Sequence, residues 1–187
     1  MQIESFDARA ITQTDAQVIG RLLAKVWPNP KKPAKFRTQQ MLDMVHLYAG
    51  SDLPAPRRFV IREAGKVIAH ASIVPRTIGT TAGDLTIAAL AQVCTDPDQR
   101  GRALGKLITQ AAFDMVDSGV FRFSLFQTTP QVRPFYERLG GCLVENRIVN
   151  SLGEDPQASP FWDSVAMRYP SGGEWPEGEI DLRGPGY

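Results

Sequence analysis

The stretch Val93-Cys-Thr-Asp-Pro-Asp-Gln-Arg-Gly-Arg-Ala-Leu-Gly105 sets a strand, a tight basic loop and the first turn of a helix in immediate succession. A helix start leaves backbone N–H groups without intrahelical partners and carries the positive end of the helix dipole. An anion suits that position, and a diphosphate suits it best when the loop before it is basic. Gly101 and Gly105 let the backbone approach a ligand, while Arg100, Arg102 and Lys106 surround it with charge. The chain must therefore bring a strand end and a helix start together around one anionic group.

The remaining composition narrows the class. With 187 residues, 43% of them hydrophobic, the chain buries a core without disulfides or metal. Cys94 and Cys142 stand far apart, with no CxxC pair and no histidine cluster, so no metal is expected and both thiols are read as reduced. No run reaches 18 apolar residues and the N-terminus lacks a basic-then-apolar leader, which leads to the expectation of a cytoplasmic protein with no membrane partner. The net charge of +1 conceals an asymmetry. Residues 1–150 carry 19 Lys/Arg against 13 Asp/Glu, and residues 151–187 carry 2 against 7. A basic front with few clustered aromatics is a poor nucleic-acid surface, so no nucleic-acid partner is expected.

Periodicity supplies the frame. Ile3 to Phe6 reads as a strand; a helix follows from Thr14 or Asp15 to about Trp27, with Thr14 as N-cap and Val18, Leu22 and Val26 on one face. The prolines of residues 28–35 impose an exposed loop, after which a second helix is expected over 38–49. Residues 59–74 read as a hairpin disturbed at Pro75, and residues 85–95 as a long strand. Leu104, Leu107, Ile108, Ala111, Ala112 and Met115 define a one-faced helix closed by Gly119. Strands are expected at 121–125, 142–149 and 165–169, with a short helix opening at Pro134.

Three segments together resemble the GNAT acetyltransferase superfamily: the strand Leu90-Ala-Gln-Val-Cys-Thr95, the loop Gln99-Arg-Gly-Arg-Ala-Leu-Gly105, and Pro134-Phe-Tyr-Glu-Arg-Leu-Gly140. The resemblance covers residues 58–149. It implies an α/β (α+β) GNAT fold, a mixed and mostly antiparallel central sheet flanked by helices and splayed at the acetyl-CoA strand. It also implies one domain over 1–187, with 150–187 an acidic extension over the acceptor site. Residues 67–76 and the ending from Trp175 are similar to aminoglycoside 2'-N-acetyltransferases and nodulation N-acyltransferases.

The chemistry implied is acetyl transfer from acetyl-CoA to a primary amine of a small, cationic or amino-sugar molecule, in a ternary complex. Backbone groups of Val93, Cys94 and Thr95 would pair with pantetheine, and the N–H groups of Arg100, Gly101, Arg102, Ala103, Leu104, Gly105 and Lys106 would hold the diphosphate. Ala103 stands where the family loop usually has glycine, and alanine resists positive φ. By resemblance Tyr136 is the acid, since a phenol with a reference pKa of about 10 can protonate the leaving thiolate. No carboxylate lies on residues 85–94 to serve as base. His70 is the next candidate, and a hydrogen-bonded sheet histidine is the competing reading. His70, Trp175 and Asp181 are candidate acceptor contacts, Trp175 by stacking and Asp181 by charge. A homodimer is compatible with the resemblance. A non-catalytic acyl-CoA sensor, a longer acyl donor and a protein acceptor stand as alternatives.

Overall fold

Helix α1 (Gln13–Val26) opens on Thr12, whose hydroxyl accepts the Asp15 N–H at 3.0 Å. The cap thus lies two residues before the expected Thr14, because a threonine can cap only from extended backbone, and Thr12 has it. The computed structural model describes residues 2–48 and 50–187. Helix α2 (Ala34–Leu47) begins directly after Pro33, four residues earlier than expected. The last proline of the loop sits outside the helix, where its missing N–H removes nothing from the ladder. The expected end of this helix at Ala49 lies outside the described residues.

Chain contacts divide the molecule into two compact units, one of residues up to 74 with 91–112, the other of 75–90 with 113–187. In the first, β1 (Ile3–Asp7) pairs antiparallel with β2 (Arg57–Glu63), and β2 with the first half of β3 (Lys66–Thr80). The hairpin turns at Ala64 and Gly65, both at positive φ. Strand β3 does not break at Pro75 as expected. The β2 register ends at Arg57 opposite Ile73, so Pro75 lies beyond the ladder that needs its N–H on that side. Helices α1 and α2 pack closely, since a Cβ at Gly20 would stand 2.6 Å from the Thr38 hydroxyl and 2.9 Å from the Ala34 carbonyl. Ile19, Leu23, Met41, Val60 and Cys94 form the core beneath them.

Strand β4 (Gly83–Thr95), like β3, continues from one unit into the other. In the second unit β4 pairs parallel with β5 (Ser124–Thr128), and β5 antiparallel with β8 (Val165–Tyr169). The expected strand over 142–149 is two short pieces, β6 (Cys142–Leu143) on β8 and β7 (Ile148–Val149) on β9 (Ile180–Asp181). Strand β9 was not anticipated from sequence; it also pairs with β3 at Gly79. The strands follow the order β1-β2-β3-β4-β5-β8-β6, mostly antiparallel. Two further helices complete the frame, α3 (Leu104–Asp117) and the short α4 (Arg133–Glu137).

On α3 the buried residues are Leu104, Ile108, Thr109, Ala112, Phe113 and Val116, while Leu107 is 41% exposed. The apolar face is rotated from the one expected, because Phe113 and Val116 outweigh Leu107 in buried volume. Phe113 stacks on Tyr169 at 3.9 Å.

Candidate active site

Strand β4 carries a local defect just before its end. Gln92 has φ +56, a left-handed residue inside a strand, the backbone conformation found at a β-bulge. Its carbonyl accepts from His70 Nδ1 at 3.1 Å, and its side-chain oxygen accepts from Arg58 Nη1 at 3.3 Å. Beyond Gln92, Val93 and Thr95 are half-buried, while Cys94 turns its thiol into the core. Burial pushes that thiol up to about 12, so it stays protonated at neutral pH.

The loop that follows is anchored at its start. Asp96 N–H donates to the Ile68 carbonyl at 2.8 Å, and the Asp96 carboxylate accepts the Asp98 N–H at 3.0 Å. Lys25 of α1 reaches Asp96 at 2.5 Å and Asp98 at 2.7 Å. Gly101 (φ +80) and Ala103 (φ +58) then reverse the chain into α3, where Leu107 N–H donates to the Ala103 carbonyl at 3.1 Å. Alanine thus adopts the left-handed conformation it resists, at a cost of about 1–2 kcal/mol. The first-turn amides of Leu104, Gly105 and Lys106 lie ahead of the first intrahelical donor, Leu107. A Cβ on Gly101 would meet nothing within 4 Å, so the approach to the loop is open.

The charges around the loop are not all available. Arg102 pairs with Glu63 through two bonds of 2.8 and 3.0 Å and also donates to the Gln99 side chain. Its guanidinium holds the Glu63 carboxyl below the usual range. Arg100 and Lys106 are exposed. A groove of about 520 Å³ adjoins the loop, lined by Arg21, Lys25, Lys66, Asp96, Asp98 and Gln99 among others.

His70 is fully buried, contrary to a role in contact with solvent or a surface ligand. Its Nδ1 faces a carbonyl and must carry the proton, which leaves Nε2 to accept from Arg58 at 3.3 Å. Burial, reinforced by Arg58, lowers its pKa to about 3, so the ring is neutral across the physiological range. Sequence reasoning missed Arg58, which is 1% exposed. The available signal was its phase: it stands two residues before Val60, on the same face of a strand whose next three residues are all buried.

Tyr136, Trp175 and Asp181 belong to the other unit, each with its own surroundings. Tyr136 is buried, its ring 4.6 Å from Phe126 and 5.0 Å from Phe135. The Trp175 indole N–H donates to Asn146 Oδ1 at 2.8 Å, and Arg168 lies 5.5 Å from its ring. With Glu145, Arg147, Arg168 and Glu177 it lines a groove of about 590 Å³. The Asp181 carboxylate accepts from the Ser151 amide and hydroxyl at 2.9 and 2.5 Å and from the Arg183 amide at 3.0 Å. Those bonds tie it to the C-terminal segment itself. Among the described residues no group of His, Cys, Asp and Glu is arranged to hold a metal, and no helix is long and apolar enough to cross a membrane.

Comparison with known proteins places the fold. Solved structures that share it include the following three. An acyl-CoA N-acyltransferase from Pseudomonas aeruginosa is 14% identical, with 90% of this chain and 99% of that one covered at a TM-score of 0.58. A glucosamine-6-phosphate N-acetyltransferase from Arabidopsis thaliana is 17% identical, with 87% and 100% covered at 0.57. A GCN5-related N-acetyltransferase from Kribbella flavida is 20% identical over 76% of this chain, which spans only 33% of that protein, at 0.57. No curated protein matches the sequence. The narrower similarity to aminoglycoside and nodulation enzymes gains no support from these matches. The family model described as an acetyltransferase (GNAT) domain matches residues 7–142, and by that match the chain belongs to the GNAT acetyltransferases.

Proposed function

We propose that this protein transfers an acetyl group from acetyl-CoA to a primary amine of a small molecule, a cationic or amino-sugar compound, with both substrates bound together. The observation that carries the reading is the turn from β4 into α3, where Gln92, Gly101 and Ala103 all take positive φ. The three residues bend the backbone so that strand edge and helix start face one ligand, and the open space at Gly101 fits a bulky diphosphate. Val93, Cys94 and Thr95 offer backbone groups to the pantetheine arm; residues 100–106 hold the diphosphate. Acetyl-CoA supplies the activated thioester, and the protein orients it.

Tyr136 donates the proton to the departing thiolate, its ring direction fixed by Phe126 and Phe135. A covalent acyl-enzyme on Cys94 is disfavoured, because its thiol is buried and protonated. His70 is neutral with both ring nitrogens engaged, so the amine loses its proton to water and the rate follows the amine's own titration. Trp175 presents a ring to the acceptor beside Glu145 and Glu177, whereas Asp181 orders the C-terminal segment. The protein works in the cytoplasm without metal, membrane or nucleic acid, as one domain whose residues 150–187 cover the acceptor, and a homodimer is its assembly.

A second reading, a non-catalytic acyl-CoA sensor, draws on Arg102, which is committed to Glu63 and not free for phosphate. A longer acyl donor or a protein acceptor would keep the same loop. Calorimetry with acetyl-CoA, CoA and a longer acyl-CoA, in wild type and Gly101→Asp, tests the cradle: binding lost in the variant supports it, and no binding in wild type refutes it. Release of CoA across an amine panel separates transferase from sensor. Tyr136→Phe should lower turnover at least 100-fold with acyl-CoA affinity unchanged.

A further inference from the structure

Arg58 is a buried cation. Its Nη1 lies 3.3 Å from His70 Nε2 and 3.3 Å from Gln92 Oε1, its Nη2 lies 3.8 Å from the Met44 sulfur, and its Nε has no partner among the described residues. Among the described residues no carboxylate is within ion-pair distance. Burial lowers its pKa to about 10, which leaves it charged at neutral pH. All three neighbours are neutral, and a thioether is a weak acceptor. A bracing arginine looks different: Arg168 donates to the carbonyls of Pro170, Ser171 and Gly172. Burying a charge without such partners is strongly unfavourable unless something else offsets it.

We infer that Arg58, with His70 and Gln92, forms an anion site that receives a carboxylate or phosphate group carried by the amine acceptor. The acceptor half of this inference rests on the transferase reading above. Two features locate it there. Gln92 directly precedes Val93–Thr95, so an anion on Arg58 sits one residue from the proposed donor strand. Met44 is only half-buried, so the flexible side chain against the guanidinium itself reaches solvent. The fork of Arg58 matches either oxyanion through two parallel N–H bonds, with His70 keeping its proton on Nδ1 and Gln92 freed to turn its amide toward the anion.

The test begins without any acceptor. Thermal unfolding is followed while acetate or inorganic phosphate replaces chloride at constant ionic strength, in wild type, Arg58→Met and Gly101→Asp. Both anions should raise the wild-type melting temperature, the apparent affinity should fall at least tenfold in Arg58→Met, and the effect should survive in Gly101→Asp, whose blocked loop removes diphosphate-site binding. In chloride alone Arg58→Met should melt higher than wild type, since it sheds an uncompensated charge. An anion response that is absent in wild type, equal in Arg58→Met, or lost in Gly101→Asp would overturn the site. If Arg58→Met does not fold, the anion site is likewise overturned as described, because Arg58 is then a structural brace. With wild type, an amine bearing a carboxylate or phosphate should show a KM at least tenfold below that of its neutral amide or unphosphorylated form, and the preferred member identifies the anion. Equal KM values would refute the acceptor assignment. Failure to bind any acyl-CoA would instead sink the transferase reading, while the anion titration still decides the site.

Discussion

Replacing His70 with asparagine should flatten the acid limb of the stability curve. The folded ring titrates near 3 because burial, then Arg58, disfavours the imidazolium, while the unfolded histidine titrates near 6.5. Above pH 6.5 both states are neutral and the native state holds its full advantage. As pH falls toward 3 the unfolded chain binds a proton that the folded chain refuses, so stability is lost on acidification. Between pH 6.5 and 5.0 the unfolded histidine passes from half to almost full protonation, which amounts to about 1.7 kcal/mol at 1.36 kcal/mol per unit. Any folded pKa below about 4 gives the same loss over that window. For a chain of this length it corresponds to a fall of about 3–7 °C in melting temperature. Asparagine retains a donor for the Gln92 carbonyl and an acceptor for Arg58 but does not titrate. The assay is thermal unfolding in piperazine and bis-tris buffers, free of carboxylate and phosphate. His70→Asn will lower absolute stability, so the slope is the readout. Parallel slopes for the two proteins between pH 6.5 and 5.0 would refute a buried, neutral His70.

Ala103→Gly should raise stability by about 0.5–1 kcal/mol in urea titrations, since relief of about 1–2 kcal/mol of left-handed strain exceeds the 0.4–1 kcal/mol of extra freedom gained by the unfolded chain; a loss would contradict the conformation assigned to that residue. Gly20→Ala should destabilise by about 1–3 kcal/mol, because its Cβ would collide with the Thr38 hydroxyl and the Ala34 carbonyl at the α1–α2 contact, and an unchanged urea midpoint would argue against that close approach.

Much of the candidate site was legible because its signals are local. A basic loop between an apolar strand and a one-faced helix declares itself within thirteen residues, and α3 starts at Leu104 after left-handed turns at Gly101 and Ala103. Strand β8 is found at its expected residues 165–169 for the same reason. Errors arose where the deciding partner is remote in sequence. Pro75 is tolerated because β2 has already run out, and β9 exists only because β3 and β7 offer it edges. Leu107 was read into a core that Phe113 and Val116 occupy.

The sequence by itself determined the order of the helices and of most strands, the turn from β4 into α3 and the family, all properties of periodicity and of glycine and proline at fixed offsets. Only the tertiary structure decided which charges are free. Arg102 reads as a phosphate ligand until Glu63, 39 residues away, is seen to hold it. His70 reads as a base until burial and the Gln92 carbonyl fix its tautomer, and Arg58 draws no notice until its 1% exposure, with no counter-ion among the described residues, is known. Protonation and charge availability depend on desolvation and on partners brought together from distant parts of the chain, quantities that no local pattern encodes.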